Sequence, residues 1–495
     1  MPRPPSPLLE SLPPLDPRAP VALFAQIANA LAERIRAGQL ASGDVLPGSR
    51  SLARALGVDR DTVIAAYTDL EAQGFIVTVA RTGTIVAGAV GSRAPRPRAA
   101  RAGFAGKLGY ALDPGPAAHT VPASPARAVV LAAGVPDLRL VPSELIARAY
   151  RRAMRRHPEA TLGYSAAPHG HPRLRTALAE LVRESRGIAA SADDVMVTRG
   201  SQMALDLTAR AIVRPGDVVG VEALGYRPAW ATFERAGGTL VGVPVDAGGI
   251  DVGALAKLCE RTPVRLVYVT PHHQYPTTAV LAAGRRAQLL ALARTHRFAI
   301  LEDDYDHEFH YDGRPVLPLA SADPDGVVVY VGTLSKVLAP GLRLGFVVAP
   351  RPMIDRLARE RFLIDRQGDL ALELAIAELI EEDELGRHVR KMRRIYLGRR
   401  DALAGALRDQ LGDRLRFAVP TGGIALWAET GAGSGSGAGI DADRWCKRAA
   451  ERGVVFHAGS AFCLTPGKLA AARFGFGAST EAELRLAVKR LAQVA

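Results

Sequence analysis

Between Gly88 and Leu112 the sequence carries no acidic residue. Arg93, Pro95, Arg96, Pro97, Arg98, Arg101 and Lys107 are spread there among alanine and glycine. Such a run has no apolar periodicity to bury and its like charges repel, so it reads as a basic, semi-extended linker. A linker in that place requires a small domain before it and a large one after it. The expected division is a Pro-rich tail at 1–20, a first domain at 21–88, the linker at 89–126 and a second domain at 127–495, with a smaller lobe from about 386. The 495 residues suffice for that plan. The linker itself reads either as a solvated tether or as a secondary DNA contact.

No apolar run reaches the roughly eighteen residues that a membrane span needs. The opening MPRPPSPLLESLPPLDP lacks the apolar core of a secretory signal. Cys259, Cys446 and Cys463 are scattered and form no CxxC pair. Neither a disulfide framework nor a cysteine-based zinc site is expected, and the expected compartment is the cytoplasm. The formal net charge of +13 points to a polyanionic partner, nucleic acid first. An Ala/Arg compositional bias raises pI by itself, so motifs must decide.

In the first domain, Val21, Leu23, Phe24, Ile27, Leu31 and Ile35 fall at helical spacing. Pro47 and Gly48 break the following loop, and Ser49 is placed to N-cap a short helix through Leu56 that Gly57 closes. Asp59 is a second N-cap candidate, opening a helix that carries Val63, Tyr67 and Leu70 on its core face. Phe75 to Val86 then alternates apolar and polar around Arg81-Thr82-Gly83-Thr84, a hairpin pattern. Three helices and a hairpin fit a winged helix-turn-helix. Arg60 and Thr62 would face the groove of double-stranded DNA, and Arg50 would meet a phosphate or a base. Arg81, Thr82 and Gly83 would form the wing tip. Asp59 and Asp61 oppose phosphate at the same helix start. This stretch resembles the GntR-type domain, through LPGSRxLAxxLGV, RxTVxxAYxxLxxxG and a Gly-Thr wing.

From about Arg127, short apolar runs at 195–197, 218–221, 240–245, 266–269, 298–301, 327–331 and 344–348 alternate with helical stretches near 201–213, 284–296 and 352–380. That order predicts an α/β domain around a largely parallel, doubly covered sheet. A helix near 387–408, strands at 415–418, 424–427 and 473–476, and a terminal helix predict an α+β lobe, with a flexible Gly/Ser loop at 431–439. The arginine-rich stretches at 151–156 and 387–394 read as solvated or subunit-edge faces, and His272 and His273 as loop polar contacts.

The most specific string is Gly332-Thr333-Leu334-Ser335-Lys336, with Arg343 seven residues on. A lysine after hydroxyl residues suits pyridoxal phosphate: the amine forms a Schiff base with the aldehyde, while hydroxyls and guanidinium hold the phosphate. Asp303, at the end of a strand, is the candidate anion for the pyridine nitrogen, and Tyr305 for the ring hydroxyl. Ser201 opens a helix that presents N–H groups to a phosphate, and Tyr226 is placed to stack on the ring or to pack in the core. A competing reading takes Asp303, Asp304, Asp306, His307, Glu308 and His310 as a metal cluster. The lysine motif is the better explanation, and no metal ligand is assigned.

These pieces resemble fold-type I aminotransferases in the same order. TPHHQYPTTAVLAAGRRAQLLALA, LEDDYDHEFHYDGRP and GTLSKVLAPGLRLGF resemble the MocR-type regulators, in which a GntR-type reader precedes an aminotransferase-like domain. The resemblance implies Lys336 as the Schiff-base lysine, with Asp303 and Tyr305 on the ring. It places Thr333, Ser335, Arg343, Ser201 and Gln202 around the phosphate, and Tyr275 where aminotransferases carry an asparagine. Arg473 matches the arginine that grips a substrate carboxylate. Arg227-Pro228 departs from relatives that bind an effector with an arginine near this point. A homodimer, a DNA operator and an amino-acid or amine effector are implied. An active aminotransferase carrying a DNA-binding domain is the alternative.

Overall fold

A computed structural model describes residues 14–80, 82–87, 109–112, 128–131, 134–164, 168–313, 316–431 and 439–495. The chain divides into two compact units, 1–115 and 116–495. Among the described residues no helix is long and apolar enough to cross a membrane.

The first unit holds helices Leu23–Arg36, Ser49–Leu56 and Arg60–Ala72, then strands Ile76–Val79 and Gly83–Val86. The helical spacing of Ile27, Leu31 and Ile35 lays one stripe against Leu52, Val63 and Leu70, and this is the core. The strands pair antiparallel, Ile76 opposite Val86 and Val79 opposite Gly83. Gly83 has φ +97°, which a side chain rarely adopts, so the wing turn needs glycine there. The Leu46 N–H donates to the Thr84 carbonyl and ties the loop before the second helix to the wing. Two capping expectations change. Ser49 is already helical, with Gly48 at the cap. Asp59 occupies the cap of the third helix but makes no side-chain capping bond, so its carboxylate acts there only through its charge. Arg81 lies outside the described residues.

The second unit is built on a seven-stranded sheet. In spatial order its strands are Val195–Thr198, Gly345–Val348, Val328–Thr333, Ala299–Asp304, Val264–Val269, Val218–Glu222 and Thr239–Val243. All run parallel except Gly345–Val348, which is antiparallel to both neighbours. Strands Val195–Thr198, Val328–Thr333 and Gly345–Val348 are buried throughout, as expected for a sheet covered on both faces. Helices Gly200–Ile212 and Ala283–His296 are among those that cover it.

The stretch predicted as one helix at 352–380 is two, Arg351–Ile364 and Leu370–Glu381. Arg366 takes a left-handed φ of 62° between them, and the Asp369 side chain caps the second by accepting from the Leu372 N–H. The smaller lobe packs helices Glu384–Leu411 and Glu481–Ala492 with a three-stranded antiparallel sheet, Ala425–Glu429, Ala471–Gly475 and His457–Ala458. The predicted strand at 415–418 forms only a bridge between Arg416 and Glu429. The chain leaves the edge there, and Gly422 bridges His310 instead. Leu131, early in the unit, lies in the core of this lobe. Of the Gly/Ser loop, 432–438 lies outside the described residues, as does most of the basic linker.

Candidate cofactor site and DNA-reading face

The sheet delivers its functional residues by direction. The parallel strands end on one edge, at Thr198, Glu222, Val269, Asp304 and Thr333. The antiparallel strand begins on that edge, since Gly345 lies opposite both Thr333 and Thr198. The loops leaving these ends carry Ser201, Tyr226, Tyr275, Tyr305 and Lys336, and Arg343 precedes the antiparallel strand. Ligands of open α/β sheets sit at this edge.

Anion-binding groups cluster around the helix Gly200–Ile212, whose first turn has no side-chain cap and so keeps N–H groups free. Arg343 packs on its start: a Cβ at Gly200 would come within 3.0 Å of the Arg343 guanidinium. Arg343 Nη2 also donates to the Arg199 carbonyl at 3.1 Å. A Cβ at Gly345 would lie 3.0 Å from the Ser201 nitrogen. Both glycines therefore permit the close approach of strand, helix start and guanidinium. Thr333 and Ser335 are buried beside the lysine, where the Ser335 N–H donates to Thr333 Oγ1 at 3.1 Å. The Gln202 side chain is turned away, donating to Thr232 Oγ1 at 2.8 Å and to the Pro228 carbonyl at 3.2 Å.

Asp303 is buried, and its Oδ2 accepts from the Tyr268 hydroxyl at 2.8 Å. Its Oδ1 is buried without a partner among the described residues. Burial pushes the carboxyl up to about 7 against the opposing effect of Tyr268. Glu222 lies in its field, also raised by burial to about 7, and accepts from the Thr270 N–H and hydroxyl. Lys336 is held below the ordinary lysine value by burial and by Arg473 and Arg343, against Asp306 and Asp303. A lowered lysine pKa favours the neutral amine, the form that attacks an aldehyde. The Tyr305 hydroxyl donates to the His273 carbonyl at 2.9 Å. The orphaned Asp303 oxygen, a buried lysine whose pKa is lowered and an anion cradle fit pyridoxal phosphate.

Arg473 sits on the middle strand of the small-lobe sheet, buried, with Nε donating to the Pro276 carbonyl at 3.1 Å and Nη1 unpartnered among the described residues. Its guanidinium lies 4.4 Å from the centroid of Tyr275. Tyr275 meets Tyr226 edge-on at 5.6 Å and Tyr305 at 6.0 Å. Arg227 is spent on structure, since it donates to the carbonyls of Ala461 and Cys463 at 2.8 and 3.1 Å. Three neighbours escaped the sequence reading as site residues. Glu222 ends one apolar strand and Tyr268 lies inside another, and Gly134, with φ +76°, would place a Cβ 3.6 Å from Lys336 Nζ. In the sequence Gly134 gave no signal except a glycine's capacity for positive φ.

On the first unit, Arg50 and Arg60 are exposed at the starts of their helices and Thr62 is half-buried. Arg60 Nε reaches Ser49 Oγ at 3.4 Å. Thr82 and Gly83 are exposed at the wing tip. Tyr67 turns inward, donating to the Pro47 carbonyl at 2.6 Å.

Fold and site thus define a winged-helix reader joined to an aminotransferase-like domain. Residues 127–491 match the family "Aminotransferase class I and II", and residues 23–86 match "Bacterial regulatory proteins, gntR family". The chain belongs to the aminotransferase class I and II family, in the branch headed by a GntR-family domain. It is 34% identical to "Probable rhizopine catabolism regulatory protein MocR" of Rhizobium meliloti, over 84% of this chain and 83% of that protein. It is 33% identical to "Aromatic-amino-acid aminotransferase 1" of Thermococcus litoralis, over 74% of this chain and 87% of that one. The crystal structure of a multiple substrate aminotransferase from Thermococcus profundus superposes with a TM-score of 0.69 at 30% identity, covering 74% of this chain and 91% of the other. The protein is a transcriptional regulator of the MocR/GntR type. Regulators with this reader bind DNA operators, and the aminotransferase fold implies pyridoxal phosphate.

Proposed function

We propose that this regulator senses an amino acid or related primary amine through pyridoxal 5'-phosphate held on Lys336. Two buried polar atoms without a partner among the described residues carry the reading: Asp303 Oδ1 and Arg473 Nη1, on residues whose charges both act on Lys336. Asp303 would accept from the protonated pyridine nitrogen and keep it charged. Arg343, Ser201, Thr333, Ser335 and the helix N–H groups would hold the phosphate, with Gln202 contributing main chain alone. Tyr226, Tyr275 and Tyr305 would enclose the ring. When bound, the cofactor supplies an aldehyde that exchanges its lysine partner for an external amine. Arg473 would orient that amine by its carboxylate, for which a planar fork with a free N–H is suited.

Regulation then requires the effector to favour one conformation over another. Arg50, Arg60 and Thr62 would meet the operator, with the wing residues Arg81, Thr82 and Gly83 on the adjacent backbone. A homodimer is part of this reading, supported by the apolar run Phe362, Leu363 and Ile364, of which Leu363 is 81% exposed. The domain limits 21–88 and 127–495, and a cytoplasmic location, complete it. An active aminotransferase is the second reading, favoured by the presence of both Lys336 and Asp303.

An absorbance spectrum tests the cofactor: a near-ultraviolet or visible band bleached by borohydride is expected, and Lys336→Ala should lose it while still binding DNA. Screening amino acids by spectral shift tests the effector. Arg473→Ala should weaken that response, and unchanged affinity would refute the carboxylate role. Turnover of an amino donor and keto acceptor at about 1 per second or faster would favour the enzyme.

A further inference from the structure

Beside the cofactor site lies a second buried polar cluster that the proposed function does not use. His272, Asp304 and His307 are 3%, 2% and 3% exposed. One ligand-type atom from each lies within 4.8 Å of the others. Among the described residues both ring nitrogens of His272 and Asp304 Oδ1 have no hydrogen-bond partner, and His307 Nδ1 faces Asp304. A buried imidazole with neither nitrogen satisfied is costly to desolvate and is uncommon in a folded core.

His307 Nε2 lies 3.4 Å from the Ser185 carbonyl, and its Nδ1 lies 2.9 Å from Asp304 Oδ2. A proton or a cation between an imidazole nitrogen and a carboxylate oxygen accounts for that separation. The Tyr330 hydroxyl donates to Asp304 Oδ2 at 2.8 Å, and with the Ser185 carbonyl it forms an outer shell of the kind that orients metal ligands. Arg186, ion-paired to Glu308, and Arg286, in the field of Glu302, also act on Asp304 from outside the triad.

We propose that His272, Asp304 and His307 bind a divalent transition-metal ion, zinc foremost. Two imidazoles and one carboxylate are zinc-type donors and too nitrogen-rich for calcium or magnesium. His272 comes from the loop that carries Tyr275, and Asp304 and His307 flank Tyr305. The ion would therefore brace two of the three tyrosines proposed to enclose the cofactor. A neighbouring triad shares His272 with His273 and His310. There His273 Nδ1 is already held by Asp306 at 2.7 Å, and His310 is partly exposed. The first triad is favoured because all three members are buried, and His272 and Asp304 keep unsatisfied atoms among the described residues. This inference does not depend on amine sensing.

The test is metal analysis of the full-length protein, with and without pyridoxal phosphate, after expression with zinc and passage over chelating resin. Wild type should retain about one zinc per chain. His272→Gln, His307→Gln and Asp304→Asn should lose it, and His310→Gln should keep it. Cobalt(II) added to zinc-free wild type should give visible ligand-field bands that zinc abolishes, a readout that stands even if the variants fold poorly. Wild type that emerges without zinc and shows no cobalt bands overturns the proposal and leaves an Asp304–His307 imidazolium pair. Zinc retained by folded His307→Gln, or lost from His310→Gln alone, also overturns it.

Discussion

Asp303→Asn turns the buried carboxyl into a measurable pH dependence. Folding raises the Asp303 pKa from 3.8 to about 7, burial being the largest cause. A raised acid pKa means that the folded state holds the proton more tightly than the unfolded one. Asp303 therefore costs least below pH 3.8, and stability falls as pH rises from there through about 7. A rise of roughly three units corresponds to about 4 kcal/mol in total, or about 1.4 kcal/mol per pH unit within the window. Between pH 5.5 and 7.5, apoprotein should lose about 2 kcal/mol through this group. Asparagine keeps an acceptor for the Tyr268 hydroxyl and removes the titration. The histidines lowered by burial act in both proteins and cancel in the difference. Glu222 is raised partly by Asp303, so its relaxation in the variant widens the gap. Urea unfolding of the second domain at several pH values reads the effect. Adding pyridoxal phosphate to wild type should flatten the curve, because a pyridinium beside Asp303 stabilises its charged form. Equal pH slopes for apo wild type and Asp303→Asn would refute both the buried charge and its role.

Other substitutions separate the reader from the sensor. Arg60→Ala should remove about 1–3 kcal/mol of operator discrimination if its exposed guanidinium reads a base edge; equal losses on operator and random DNA, measured by titration, would show a phosphate contact alone. Tyr67→Phe deletes the bond to the Pro47 carbonyl and should cost the reader about 1 kcal/mol, seen as an earlier thermal transition of that domain. Gly134→Ala adds a methyl 3.6 Å from Lys336 Nζ at φ +76°. It should reduce the borohydride-sensitive band without changing DNA affinity.

Features that depend on local chemistry were readable in the sequence. The spacing of Ile27, Leu31 and Ile35, the left-handed Gly57 and the Gly83 turn define the reader before any contact is known. Lys336 with its hydroxyl neighbours marks the loop proposed to hold the cofactor, and the strand ends before Ser201 and Tyr305 mark the proposed phosphate and ring positions. Features that depend on sheet neighbours were not readable. Tyr268 and Glu222 sit among valines in strands, and only the pairing of Val264–Val269 with its neighbours brings them to Asp303. The run from Asp303 to His310 shows both limits at once. In sequence its acids and histidines form one metal-like cluster that competes with the lysine motif. In the fold, Asp303 and Asp304 follow each other at a strand end, where successive side chains alternate. Asp303 meets Tyr268 on one neighbouring strand, and Asp304 meets Tyr330 on the other. The two readings therefore stop competing: Asp303 serves the Lys336 side, while Asp304 and His307 join His272, which lies about thirty residues earlier in the chain. Linear proximity overstated the first association and hid the second.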